Sequence, residues 1–209
     1  MEHGALCSLL RAPSKRSVAV NIQPPTCRRL RGTREVDAYQ TIDEAHTGAD
    51  AGEWPVVRET LYLDDAVAGA VDAARARAGQ RQVFVEVGAF EEARITGDAA
   101  LVRQLLLIVL DNALKFTPAG GRVRLDVSAQ NGRAAVVVTD TGLGIPAEQL
   151  PHVFERFYRG DRARHEAEGA GLGLAIARWI AEVHGADIAI TSQPGHGTRV
   201  AISFPLAAA

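Results

Sequence analysis

Between Leu101 and Ala113 the apolar residues recur at helical spacing, through Leu101, Leu105, Ile108 or Val109, and Ala113. This predicts an amphipathic helix buried along a broad face. Asp98 stands where it can cap the start of that helix, and Pro118 with Gly120–Gly121 ends it. A second helical pattern opens at Asp64, read as its cap, carries Val67, Val71 and Ala74 inward, and stops near Gly79. A third covers Leu172–His184 and is stopped by Gly185. Period-two, β-branched runs fill the spaces between. Val56–Leu63 reads as a short extended segment, Gln82–Val87 as a strand, and Ile95 as part of another. Arg122–Ala129 and Ala134–Thr139 are joined through Asn131–Gly132, a strong hairpin signal. Asp187–Ser192 and Thr198–Pro205 form a second hairpin through Pro194–Gly197. Helices with one apolar face beside a largely antiparallel set of strands predict a two-layer sandwich.

Residues 1–48 follow neither period. Pro13, Pro24–Pro25 and the basic cluster Cys27–Arg34 interrupt any pattern, and the segment is expected to be a disordered leader. A targeting peptide and a nucleic-acid-binding arm are lesser readings. The first lacks an amphipathic helix, and the second lacks aromatics beyond Tyr39. Composition changes the picture little. The apolar share of 47% and charged share of 23% belong to an ordinary folded domain, and a net charge of -2 suggests no polyanionic partner. Cys7 and Cys27 both lie in the leader, at a spacing that suggests neither a metal site nor a disulfide framework. Every apolar run is too short to span a bilayer, so no membrane contact and a cytoplasmic location are expected.

Candidate chemistry clusters on the helix ends and loops. Asn112 and Lys115, three positions apart, project from one side of the central helix. An amide oxygen suits a hard cation such as Mg²⁺, and an ammonium suits phosphate oxygens, although a wet helix end has the same composition. Asp140 ends the Val136–Thr139 strand, where its carboxylate either makes an Asx turn with Gly142 or accepts the exocyclic amine of adenine. Gly169, Gly171 and Gly173 lead straight into a helix, an arrangement that turns backbone N–H groups toward an anion. It is neither a dinucleotide-binding fingerprint, lacking a preceding strand, nor a P-loop, lacking a following Gly-Lys-Ser/Thr. The stretch Tyr158–Gly169 has almost nothing to bury, as a lid over a ligand requires. Phe154 and Phe157 are expected to pin the root of that lid into the core. Arg156 and Arg159 read equally as phosphate contacts or as a solvated charge run. Gly195, Gly197 and Thr198 read locally as a hairpin turn only.

The ordered series Asn112, Asp140–Gly144, Phe154–Phe157, Gly169–Leu174 and Gly195–Thr198 resembles the ATP-binding domain of sensor histidine kinases, within the gyrase, chaperone, histidine-kinase and mismatch-repair ATPase superfamily. The resemblance runs from about Ala49 to Phe204. It implies an α+β fold, the Bergerat ATP-binding sandwich, with a mixed and mostly antiparallel sheet packed on three helices over residues 64–206. Residues 49–63 would be the linker from a dimerisation domain. It further implies ATP and Mg²⁺ as cofactors. Asn112 would bind the metal and act with Lys115 as the catalytic pair. Asp140, Gly142 and Gly144 would receive the adenine side, and Arg159, Gly169, Gly171, Leu172 and Gly173 the phosphates. The implied partners are a histidine-bearing dimerisation domain and, through it, a response regulator.

Two departures refine that expectation. The superfamily's hydrolases carry a Glu four residues before the metal-binding Asn, where this chain has Ile108, so spontaneous hydrolysis should be poor and transfer to another group favoured. No phosphoacceptor helix precedes Ala49, and of the six histidines only His165 is directly followed by an acid. The expected function is therefore transfer of the γ-phosphoryl of Mg-ATP to a histidine supplied from elsewhere. A nucleotide-binding regulatory module is one alternative. An anti-sigma-type serine kinase is another, disfavoured by the Phe-x-x-Phe pair.

Overall fold

The computed structural model describes residues 56–160 and 170–208. The leader 1–48, most of the expected linker, His165, Gly169 and the greater part of the expected lid lie outside the described residues. Among the described residues, seven strands and three helices run in the order β1 (Glu59–Tyr62), α1 (Leu63–Arg81), β2 (Phe84–Phe90), β3 (Arg94–Gly97), α2 (Ala99–Phe116), β4 (Arg122–Gln130), β5 (Arg133–Asp140), α3 (Gly173–Val183), β6 (Asp187–Gln193) and β7 (Gly197–Pro205). A short 3₁₀ turn, Leu150–His152, stands between β5 and α3.

The main sheet has the order β2-β4-β5-β7-β6, with β2 parallel to β4 and every other neighbour antiparallel. β1 and β3 make a separate antiparallel pair. The three helices cover one face of the five-stranded sheet, giving the predicted two layers. Between them lies one apolar core, including Leu63, Val67, Leu105, Leu106, Leu110, Val136, Ile180, Ile202 and Phe204. α2 is the centre of the helical layer, packed between α1 and α3. It buries Val102, Leu105, Leu106, Ile108, Val109, Leu110, Ala113 and Leu114, more of its circumference than a surface helix would.

Local sequence explains most boundaries. Asp98 caps α2, its side chain accepting from the N–H groups of Ala100 (3.0 Å) and Leu101 (3.1 Å). Asn131 and Gly132 both take positive φ, 52° and 73°, which matches the twist a tight hairpin needs. One expectation fails. α1 begins at Leu63, and Asp64 sits inside its first turn rather than capping it; its carboxylate accepts from Ala93 N–H at 3.4 Å instead. The helix also continues past Gly79 to Arg81, and Gln82 in the left-handed region ends it. Gly79 faces open space, so nothing there forces a stop.

Candidate nucleotide site

Strand alternation delivers Asp140 to the core face. Along β5 the buried positions are Ala134, Val136, Val138 and then Asp140, so the carboxylate continues a purely apolar row. It is 6% exposed. Two backbone N–H groups, from Gly142 (2.8 Å) and Thr198 (3.1 Å), donate to the same oxygen, Oδ1. Among the described residues Oδ2 receives no hydrogen bond. Burial pushes this carboxyl above its ordinary range, opposed in part by the two N–H donors. A buried acceptor held on one oxygen and open on the other has capacity for a further hydrogen-bond donor.

The glycine segment after Asp140 is wedged between two elements. A side chain at Gly142 would collide with the Phe116 carbonyl at the end of α2 and meet Asp140 Oδ1 at 2.8 Å. Leu143 N–H donates to that same Phe116 carbonyl at 3.1 Å. Gly144, at φ 70°, lies against the Gln193 carbonyl with no room for a Cβ. Gly195 N–H donates to Leu143 O (2.8 Å), and Ile145 N–H to Ser192 Oγ (2.8 Å). The β6–β7 turn is therefore part of the site's frame. Gly197 packs against the Asp140 backbone, and Thr198 supplies one of the two donors to its carboxylate. Sequence reasoning missed this, although the Gly-x-Gly-Thr pattern was its signal.

The second glycine segment meets α2 from the other side. α3 begins at Gly173, where an added Cβ would stand 3.4 Å from Ile108 Cγ2 and 3.8 Å from Asn112 Nδ2. The N-terminus of α3 thus abuts the polar end of α2, so unpaired N–H groups and a favourable field for anions adjoin the Asn112 amide. Asn112 and Lys115 are both half-buried, and Lys115 Nζ stands 5.6 Å from the Phe116 ring centroid. Asp111 turns the other way, into an ion pair with Arg77 on α1 at 3.0 Å. Leu172 packs against the core, and its carbonyl accepts from Ile176 N–H at 3.0 Å. Gly171 takes φ 75° against the backbone of Phe157 and Tyr158, and its carbonyl accepts Phe157 N–H at 3.0 Å. Arg159 is half-buried beside this junction in sequence.

Phe157 corrects an expectation. Phe154 is half-buried, with the Arg178 guanidinium 5.9 Å from its ring centroid, but Phe157 is 68% exposed at φ 62°. The left-handed backbone that delivers its N–H to Gly171 turns the ring outward. His152 supplies another finding. Its Nδ1 lies 2.7 Å from Glu155 Oε1, an acidic neighbour one turn away that adjacency in sequence did not show. A shallow depression of about 310 Å³ opens at the end of the sheet that carries Asp140, lined in part by Thr139, Ser192, His196 and Thr198. A larger one, about 680 Å³, lies between the end of α1 and β2 and holds none of the predicted site residues.

Known proteins share this fold. The family described as histidine kinase-, DNA gyrase B- and HSP90-like ATPases matches residues 97–208, which hold every site residue named above. The chain belongs to that family. Within it the chain is similar to sensor histidine kinases. It is 42% identical over 126 residues to sensor histidine kinase YkoH of Bacillus subtilis, covering 60% of this chain and 27% of that relative. It is 35% identical over 148 residues to the sensor-like histidine kinase SenX3 of Mycolicibacterium smegmatis, covering 70% and 38%. The chain thus spans well under half the length of these relatives. Among solved structures, a mycobacterial sensor histidine kinase, MprB, superposes with a TM-score of 0.64 at 32% identity, covering 72% of this chain and 98% of that one. Full-length ShkA, solved with AMPPNP, superposes with a TM-score of 0.66 at 26% identity, covering 86% and 41%. This is a histidine kinase-like, ATP-binding catalytic domain with the expected α+β fold.

Proposed function

We propose that this domain transfers the γ-phosphoryl of Mg-ATP to a histidine on a separate dimerisation domain, in a two-component relay that continues to a response regulator. The observation that carries the nucleotide half of this reading is Asp140, buried, fixed through Oδ1, and open at Oδ2. The exocyclic amine of adenine donates to Oδ2, whereas guanine would set an acceptor against a buried acceptor.

The donor set fits a magnesium ion presented on phosphate. Asn112 brings its amide to the N-terminus of α3, with Nδ2 the atom nearest Gly173, and its single amide oxygen is the one protein oxygen it would offer a metal; the described residues hold no cluster of three acidic, histidine or cysteine side chains. Mg²⁺ ordinarily takes one or two protein oxygens, several waters and the substrate phosphates. Bound there, it would neutralise charge on the phosphates. Gly171, Leu172 and Gly173 then cradle phosphate oxygens at the start of α3, together with Gly169, and Lys115 and Arg159 supply positive charge. The buried Ile108 offers no base to a water one turn before Asn112, so the domain positions the phosphoryl group and leaves attack to the partner's imidazole. A nitrogen–phosphorus bond forms as the bond from phosphorus to the ADP oxygen breaks.

Among the described histidines, His184 is 4% exposed with both ring nitrogens engaged, and His196 sits in a hairpin turn. A cytoplasmic location belongs to the same proposal. Among the described residues no helix is long and apolar enough to cross a membrane. Calorimetry with Mg-ADP and Mg-GDP tests the nucleotide half. Adenine preference supports the reading, and equal affinity removes Asp140 from base recognition.

A further inference from the structure

The two helices that carry the site are tied, at the ends remote from it, to one short piece of backbone. α2 presents Asn112 near its C-terminus and is capped by Asp98 at the other end. α3 begins beside Asn112 at Gly173 and finishes at Val183, followed by His184. His184 Nδ1 lies 2.7 Å from the Ile180 carbonyl, which can only accept, so that nitrogen carries the proton. Nε2 consequently accepts Asp98 N–H, at 3.0 Å. The neutral ring thereby joins the end of α3 to the start of α2. Gly97 leaves room for it, since a Cβ there would run into the imidazole.

The incoming chain closes over this junction. Val57 N–H donates to Asp98 Oδ2 at 3.3 Å, and Arg58 Nη2 donates to the Val183 carbonyl at 2.7 Å. That carbonyl belongs to the last turn of α3, where acceptors lack intrahelical partners and a cation is favoured. Apolar packing of Ile176, Ala177, Ile180 and Ala181 seats α3 in the core. The bonds at its ends add directional links that join α3 to α2 and to the incoming chain.

We propose that Val57–Arg58 is a strap that fixes the axial position of α3 relative to α2, so that a displacement of the chain entering there moves Gly171–Gly173 with respect to Asn112. α3 spans about 16 Å, short and stiff enough to carry a shift at Val183 to its first turn. The strap would give movement of the preceding chain a route to the phosphate end of the site without touching the adenine end, where Asp140 is held by β5, β7 and the glycine segment. The proposal concerns the nucleotide-free protein and does not depend on how nucleotide is used.

Hydrogen–deuterium exchange on the full 209-residue chain tests it, comparing wild type with Arg58→Ala and Arg58→Lys. Arg58→Ala should speed exchange at the first turn of α3, around Ile176, on the order of fivefold, which is what one lost hydrogen bond is worth. Arg58→Lys, which keeps a cationic donor, should recover most of the protection, and amides of β5 and β7 should be unchanged. Acceleration confined to residues 56–62 and 183–186 would overturn the strap, because the loss would then stay local. Equal acceleration in every strand would overturn it too, as simple destabilisation. Because no nucleotide is added, either result leaves the reading of Asp140 untouched.

Discussion

Asp140→Asn separates what the carboxylate does for the ligand from what it costs the fold. Asparagine is nearly isosteric, and its Oδ1 can still accept from Gly142 and Thr198, so the local backbone should survive. The second position changes from an acceptor to an N–H₂ donor, which faces the adenine amine donor to donor. The lost charge-assisted bond and this mismatch together weaken binding by about 3 kcal/mol, or on the order of 150-fold in Kd. Stability should move the other way. Burial raises the folded carboxyl above the ordinary carboxylate range that it has when unfolded. The folded state therefore holds the proton more tightly, and wild-type stability falls as pH rises from the ordinary carboxylate range through the folded pKa. Asparagine carries no charge, so its stability relative to wild type should increase over that window and stay level above it. Calorimetry with Mg-ADP reads the first effect, and urea unfolding at stepped pH reads the second. A variant that binds within threefold of wild type would refute adenine recognition by Asp140. One that loses relative stability as pH rises would show that the two N–H donors outweigh burial.

Asn112→Ala should weaken nucleotide binding chiefly when Mg²⁺ is present, by about 1–3 kcal/mol; equal loss with EDTA in calorimetry would contradict the ligand role. Gly144→Ala forces a side chain into the Gln193 carbonyl at φ 70° and should cost roughly 2–4 kcal/mol, lowering Tm by about 5–15 °C. An unchanged melting curve would mean that the glycine segment is not wedged there. Phe157→Ser should leave Tm within about 1–2 °C of wild type, because the ring is 68% exposed; a loss of several kcal/mol in chemical unfolding would place it in the core after all.

The apolar periods carried the architecture because the central elements, α2, β4, β5 and β7, place their apolar positions in one core. β5 alternates so cleanly that its inward row runs from Ala134 to Asp140, and the Asn131–Gly132 turn announces its hairpin. Where two local signals compete, the pattern is weaker. Asp64 reads as a cap, but Ala93 N–H takes its carboxylate and Leu63 is drawn fully into the core one residue earlier. Phe157 reads as a core anchor by residue type, while its orientation is decided by a left-handed φ that only the contact with Gly171 reveals. Asp140 was legible as a candidate, and so was the segment Gly142–Gly144. The part played by Thr198 was not. It comes from a strand 58 residues away in sequence, and register between distant strands leaves no local trace. Likewise His152 and Glu155 meet because they lie three apart across a 3₁₀ turn, not because they are adjacent.

The most direct test of phosphoryl transfer is to incubate the chain with γ-labelled Mg-ATP, alone and with a separately supplied dimerisation domain that bears its phosphoacceptor histidine. The expected result is acid-labile label on that histidine, absent when Asp140→Asn or Asn112→Ala replaces wild type, and no stoichiometric label on the chain by itself. ATP binding without any label on the acceptor would make this a nucleotide-binding module. Stoichiometric phosphohistidine on the isolated chain would contradict the claim that the nucleophile comes from elsewhere.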